Sequence, residues 1–110
     1  MGARCRRLAQ MLDFQRRVDE ARGIMLDFPN QSRVFDPTRR AVRFWGHDGA
    51  MEWSFYVSED ALKLLQPAMT RDETALLSAF DSCRSAIHAA AKKAYKRSRK
   101  GSYELAAADF

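Results

Sequence analysis

The stretch Ala41–Val57, AVRFWGHDGAMEWSFYV, constrains the fold more than any other part of the chain, because two signals in it agree. Asp48-Gly49 favours a two-residue hairpin turn of type I′, whose two central residues both need positive φ. The residues on either side alternate between apolar and polar, which is typical of half-buried antiparallel strands. The sequence therefore predicts a β-hairpin here.

A turn at Asp48-Gly49 also predicts the pairing of the two strands. Because a shift by one residue would send every apolar side chain to the opposite face, the alternation and the turn must agree, and they do. The predicted pairs on the buried face are Phe44 with Trp53, Val42 with Phe55 and Gly46 with Met51. The predicted pairs on the other face are Trp45 with Glu52 and Arg43 with Ser54.

Length and charge limit the classes of protein to be considered. A chain of 110 residues supports one domain with a modest core. The net charge of +5 sits at two places, residues 1–24 and residues 91–101, while residues 25–90 are slightly acidic. No apolar run approaches the roughly 20 residues that span a bilayer, and charged residues interrupt every candidate signal peptide. We therefore expect a cytoplasmic protein without membrane contact, with its two cysteines as thiols.

Helix and strand signals continue on both sides of the hairpin. Residues 1–23 read as an amphipathic helix, and short extended pieces are expected at 24–28 and 33–35. Ser58 is a predicted N-cap for a short helix that Pro67 ends. Thr70 and Glu73 predict a capping box for one long helix up to Gly101, with an apolar stripe along it. Residues 102–110 predict a closing strand beside the hairpin.

Together these elements predict an α+β fold. An antiparallel β-sheet, built from a meander or hairpin, two helices and a final strand, carries the helices on one face. The predicted organisation is an N-terminal extension at residues 1–24, helical or disordered, and a single domain at residues 25–110.

Several segments resemble one small family of bacterial proteins. They are FPNQSRVFDPTRRAVRFWGHDG, the segment Val57-Ser58-Glu59-Asp60-Ala61-Leu62, Ala79-Phe80-Asp81, and the ending GSYELAAADF. In their residues and in their order along the chain, these segments resemble the domain-of-unknown-function family numbered fourteen eighty-eight, over roughly residues 25–110. The resemblance implies a compact α+β domain with no assigned activity, cofactor or catalytic residues. Residues 1–24 lie outside the pattern, either as an extension or through an early start codon.

Two histidines are candidates for a general base or, for His47 with its neighbour Asp48, a metal ligand, but neither belongs to a known catalytic pattern. His47 lies beside Asp48 in the predicted turn, where Asp48 is explained by turn geometry. His88 follows Arg84 and Asp81 on the long helix, a spacing that is ordinary on a helix face. We expect no catalytic residues, no metal site, no cofactor and no enzymatic activity. An enzyme centred on His47 or His88 is a third possibility, which requires the two histidines to share a cleft.

A basic cluster at the end of the long helix is the second candidate. It could contact phosphates, with Tyr95 or Tyr103 stacking on a base, or it could simply be a solvated helix end that complements the helix dipole. Its members are Lys92, Lys93, Lys96, Arg97, Arg99 and Lys100.

Trp45 marks the third candidate, because the predicted register turns it away from the helices. A tryptophan on an open sheet face beside a tyrosine is typical of a contact surface, unless another segment of the chain covers it. We therefore predict a non-enzymatic binding protein with an unnamed macromolecular partner, a second copy of the chain being one candidate. A nucleic-acid-associated protein that uses the basic cluster is the alternative. The predicted partner contacts are Arg43, Trp45, Glu52 and Tyr56.

Overall fold

The computed structural model describes residues 26–97 and 101–110. Five strands form one sheet: β1 (Leu26–Asp27), β2 (Val34–Asp36), β3 (Ala41–Asp48), β4 (Met51–Ser58) and β5 (Ser102–Leu105). Three helices, α1 (Glu59–Leu65), α2 (Glu73–Ser82) and α3 (Arg84–Arg97), lie between β4 and β5 in the chain, and a 3-10 turn covers Ala107–Asp109. The α+β fold is confirmed. The predicted helix at residues 1–23 lies outside the described residues.

The hairpin is confirmed, but its predicted register is wrong by two residues. Phe44 pairs with Phe55 rather than with Trp53, and Asp48 pairs with Met51 across a loop made of Gly49 and Ala50. Only the first loop residue, Gly49, has positive φ, at 62°. That pattern belongs to a type II′ turn, which needs glycine at its first central position, and not to type I′. The predicted loop, Asp48-Gly49, therefore begins one residue before the observed loop, Gly49-Ala50.

The predicted assignment of side chains to the two faces is nevertheless correct. A register that differs by two residues leaves every side chain on the same face of the sheet. Val42 and Phe44 of β3 are buried, as are Phe55 and Val57 of β4. Phe44 and Phe55 stack with ring centres 5.4 Å apart. Burial of each such side chain contributes on the order of 1.5–3 kcal/mol.

The sheet is mixed, whereas an antiparallel sheet was predicted. The order is β1-β3-β4-β5, and β2 also pairs with β3, so β1 and β2 share one side of that strand. Strand β5 is confirmed beside the hairpin, but it runs parallel to β4, with Phe55 beside Tyr103. A parallel neighbour requires a long crossover connection, and the three helices between Ser58 and Ser102 form it.

The long helix is divided in two, contrary to the prediction of one continuous helix. Cys83 has φ −114° and ψ 21°, and its N–H is shared between the carbonyls of Ala79 and Phe80, at 3.1 and 3.2 Å. The apolar stripe nevertheless holds on both sides of the bend, since Phe80 and Ile87 are fully buried. The bend keeps both halves against a sheet that one straight helix would overrun.

The caps are partly as predicted. Ser58 accepts the N–H of Ala61 at 3.1 Å, and α1 ends at Leu65 before Pro67. The N-cap of α2 is Asp72 rather than Thr70, because its carboxylate accepts the N–H of Ala75 and the hydroxyl of Thr70.

The prediction of two thiols is wrong for Cys83, which takes part in a disulfide. Its side chain is buried at the bend between α2 and α3. The other cysteine of the sequence, Cys5, lies outside the described residues.

Gly46 is the position in β3 where the core leaves no room for a side chain. A Cβ atom there would lie 2.9 Å from Phe55 and 3.0 Å from Phe28. We expect Gly46→Ala to lower the free energy of unfolding by about 1–3 kcal/mol, because the ring of Phe55 is fully buried and cannot turn aside freely. Urea unfolding of the full chain measures this.

The matched control is Gly101→Ala, since no atom lies within 4 Å of a Cβ built there. Equal stability of the wild type and Gly46→Ala would contradict the packing described for this strand.

Candidate functional site

The candidate site is the face of the sheet opposite the core, which we call the outer face. Successive side chains of a strand point to opposite faces, so the residues that alternate with the buried ones lie on the outer face. In the hairpin these belong to Arg43, Trp45, His47, Glu52, Ser54 and Tyr56. The pairing of the outer strands adds Asp27, Val34, Ser102 and Glu104.

The observed register arranges this face in three rows across the strands. The arginine row consists of Val34, Arg43, Tyr56 and Glu104. The tryptophan row consists of Trp45, Ser54 and Ser102. The acidic row, nearest the hairpin loop, consists of Asp27, His47 and Glu52. The tryptophan row lies midway, two residues along β3 from each of the others.

Arg43 is held in place by neighbours that do not neutralise its charge. Its Nη2 donates a hydrogen bond of 2.8 Å to the hydroxyl of Ser54. Its guanidinium carbon lies 5.1 Å from the ring centre of Trp45 and 5.7 Å from that of Tyr56, a cation–π arrangement with both rings. Its Nε is buried and has no hydrogen-bond partner. The side chain is therefore preorganised, and none of the carboxylates in residues 26–97 and 101–110 forms an ion pair with it.

Arg39 shows the contrast on the same face. Its guanidinium lies 4.2 Å from the ring centre of Tyr56, but it also reaches Glu104 at 2.8 Å and Asp36 at 3.6 Å. Each of these carboxylates balances charge that Arg39 brings. The charge of Arg39 is thus balanced at one edge of the outer face, while Arg43 leaves positive charge on the arginine row.

The acidic row carries the opposite charge. Nε2 of His47 lies 3.0 Å from a carboxylate oxygen of Glu52, and the two side chains are 27% and 49% exposed. Asp27, paired with His47 along β1, is exposed. Apolar surface lies at the other end, where Val34 is 52% exposed.

The four predicted partner contacts, Arg43, Trp45, Glu52 and Tyr56, all lie on this face. The predicted neighbours are corrected, because Trp45 pairs with Ser54 and Arg43 pairs with Tyr56. Sequence reasoning missed Asp27, Val34 and Glu104. They belong to short outer strands of two to four residues, which are too short for alternation to show which face each side chain takes.

The basic cluster is only partly as predicted. Lys92, Lys93, Lys96 and Arg97 lie in the last turns of α3, whereas Arg99 and Lys100 lie outside the described residues. Arg97 reaches Asp109 at 3.1 Å. Stacking of a base on either tyrosine is excluded in this structure, because Tyr95 and Tyr103 are 2% and 3% exposed. The hydroxyl of Tyr95 donates to the carboxylate of Asp48.

The two histidines lie on opposite sides of the sheet and share no cleft. His47 lies on the outer face, whereas the ring of His88 stacks on Phe28 with centres 3.8 Å apart, on the core side. Burial, with the charges of Arg84 and Lys92 as smaller causes, lowers the pKa of His88 to about 3. His88 is therefore a neutral packing residue near pH 7.

Asp81 and Arg84 bond to each other and to Arg33, whereas His88 packs on Phe28. Arg33 makes two hydrogen bonds to the carboxylate of Asp81, at 3.0 and 2.8 Å, and Arg84 makes one at 2.8 Å. The hydrogen bonds from Arg33, the largest cause, and from Arg84 lower the pKa of Asp81. The cluster ties the loop before β2 to α2, across 48 positions of sequence.

Two further classes of site are absent from residues 26–97 and 101–110. In that part of the chain, no group of three or more His, Cys, Asp or Glu side chains is arranged to hold a metal ion. None of its helices has the length and apolar character that crossing a membrane requires.

The fold and face define a small α+β domain with a mixed five-stranded sheet, helices on one side and a polar–aromatic outer face on the other. The model of the family described as "Protein of unknown function (DUF1488)" matches residues 26–106, and the chain belongs to this family.

The chain is also similar to a solved structure, a protein of unknown function from the DUF1488 family of Shewanella loihica PV-4. The TM-score is 0.65 at 20% sequence identity, over 73% of this chain and 90% of that one. That likeness confirms the fold. No curated protein matches the chain.

The buried His88 predicts a pH-dependent stability. Its pKa is about 3 in the folded protein against 6.5 for an ordinary histidine, so the unfolded chain binds the proton first. Stability should be complete above about pH 6.5 and should fall below it by about 1.4 kcal/mol per pH unit. Urea unfolding between about pH 5 and pH 7 measures the slope.

His88→Phe should flatten that slope, because phenylalanine keeps the stacking on Phe28 and cannot bind a proton. His47→Phe is the matched control and should leave the contribution of His88 in place. An unchanged slope in His88→Phe would show that this ring is not the proton-linked group.

Proposed function

We propose that this protein is a non-enzymatic binding protein of the bacterial cytoplasm, and that its outer face binds a second copy of the chain. One observation carries the proposal. Of the seven arginines that residues 26–97 and 101–110 contain, six pair with a carboxylate and Arg43 does not. The paired six are Arg33, Arg39, Arg40, Arg71, Arg84 and Arg97.

An uncompensated arginine that lies on tryptophan and tyrosine supports binding to a protein. Tryptophan, tyrosine and arginine are the residues that most often dominate the binding energy of protein interfaces. They offer large contact area and a fixed cation, and Arg43 and Trp45 are already in contact. A carboxylate brought by a partner would pair with the guanidinium charge through its terminal amino groups.

The mixed charge of the face favours a protein over a nucleic acid. Asp27, Glu52 and Glu104 lie within the same face as Arg43, and carboxylates repel phosphate groups. A face that carries both signs is suited to a partner that carries both signs too. A second copy of this chain meets that requirement.

The non-enzymatic part of the proposal is supported by the state of the two histidines. His88 is packed on Phe28 as a neutral ring, and His47 already lies against Glu52. The cytoplasmic location is supported by the composition of the sequence, whereas the disulfide at Cys83 argues against it, since such bonds are rare in reducing compartments. Mass spectrometry of the protein from cells reads the oxidation state directly.

Trp45→Ala should weaken self-association of the full chain. Light scattering over increasing concentration should show the wild type rising from 12.6 kDa towards twice that mass. Loss of a central tryptophan costs about 2 kcal/mol or more, so the variant should need at least about 30-fold higher concentration. Glu73→Ala, exposed on α2, is the control and should associate like the wild type.

Two results would overturn the proposal. One is a wild type that keeps the mass of one chain up to about millimolar concentration, the weak end of specific association. The other is a dimer that Trp45→Ala leaves unchanged while the circular dichroism spectrum shows a folded chain.

The nucleic-acid alternative stays a prediction, and salt separates it from the proposal. Four phosphate contacts from α3 would weaken binding to a duplex oligonucleotide about a hundredfold between about 50 and about 200 mM salt. Replacement of Lys92, Lys96, Arg97 and Lys100 by alanine would then abolish binding. We expect no such binding by the wild type, and a measurable, salt-dependent affinity would favour the alternative.

A further inference from the structure

The three rows of the outer face have a symmetry that restricts how two copies can pack. The arginine and acidic rows lie at equal distances on either side of the tryptophan row, about 7 Å each way at two residues of strand. In the arginine row, Glu104 is already paired with Arg39 at 2.8 Å, so the uncompensated charge is that of Arg43. Asp27 and Glu52 bring negative charge to the acidic row. The tryptophan row lies between these two rows.

Two sheets that pack face to face as identical copies are related by a two-fold axis lying in the plane of the interface. If that axis runs parallel to the strands, each row of one subunit lies over the same row of the other subunit. The two acidic rows then repel each other. If the axis runs across the strands, along the tryptophan row, the arginine row of each copy meets the acidic row of the other. Charge complementarity selects the second arrangement.

We propose that the protein forms such a dimer, with the axis across the strands at Trp45. This inference rests on the proposed function and adds the geometry of the interface. Arg43 then lies over the partner's His47, between the carboxylates of Asp27 of the partner subunit and Glu52 of the partner subunit. Trp45 packs against its own copy at the axis.

The contacts already present in one copy fit this arrangement. The rings of Trp45 and Tyr56 hold the guanidinium of Arg43 in position, so that little side-chain freedom is lost on binding. The side chain of Glu52 is 49% exposed, so it can contact a partner without a rearrangement of the chain. A sheet face of four strands offers roughly 400 Å² per copy, about half the area of a standard protein interface, so we expect a weak dimer that forms at high protein concentration.

Charge exchange between the two rows tests the geometry. Arg43→Glu places negative charge opposite the acidic row, and Glu52→Arg places positive charge opposite Arg43, so each variant alone should dimerise at least about tenfold more weakly. A mixture of the two variants should form a heterodimer with affinity close to wild type, because both contacts are then between opposite charges. The double variant R43E/E52R should recover for the same reason.

Recovery cannot come from within one chain, because Arg43 pairs with Tyr56 and Glu52 pairs with His47, about 13 Å further along the strands. The control is the charge-reversed pair Glu73→Arg and Lys93→Glu, exposed on the helices, for which neither loss nor recovery is expected. Circular dichroism confirms that each variant is folded, and analytical ultracentrifugation gives the dissociation constants.

The outcomes separate this inference from the proposed function. Weakening in both single variants with no recovery in the mixture or the double variant would overturn the axis across the strands. So would single variants that dimerise like the wild type, and in either case a dimer that still requires Trp45 leaves the proposed function standing. A chain that never dimerises overturns both.

Discussion

The stacking of Phe44 on Phe55 is the contact on which the rest of the structure depends. The two rings face each other across the hairpin at 5.4 Å, and each extends the contact to another element. Phe44 reaches Phe80 of α2 at 5.2 Å, and Phe55 reaches Tyr103 of β5 at 4.9 Å. One row of aromatic rings therefore joins the hairpin, a helix and the parallel strand. Because these rings occupy the core side, Trp45 and Arg43 have to lie on the other.

The orientation of the hairpin could be predicted from the sequence, whereas its register could not. Alternation fixes which face each residue takes, and it gives the same answer for registers that differ by two. The choice between those registers depends on whether Asp48-Gly49 or Gly49-Ala50 forms the loop, and one glycine satisfies either turn type. The loop observed has positive φ only at Gly49. Faces were thus predictable from pattern, but cross-strand partners were not.

Long-range features escaped prediction for a different reason. Local signals located the cap at Ser58, the end of α1 before Pro67 and the apolar stripe of the later helices. The bend at Cys83 and the parallel direction of β5 depend on the shape of the sheet that these elements cover, which no local pattern encodes. The candidate site shows the same division: its hairpin residues were predicted, whereas those from the outer strands were not.

The parallel pairing of β5 has a consequence for how the chain acquires its structure during synthesis. Residues 54–57 can join the hairpin as soon as they leave the ribosome, but their second neighbour lies 48 positions later, at residues 102–105. Until the three helices have been made, the hydrogen-bonding groups along that side of β4 have no strand to bind, which is the condition that promotes aggregation of nascent sheets. The exposed side of β4 is therefore the part of the growing sheet that stays open longest.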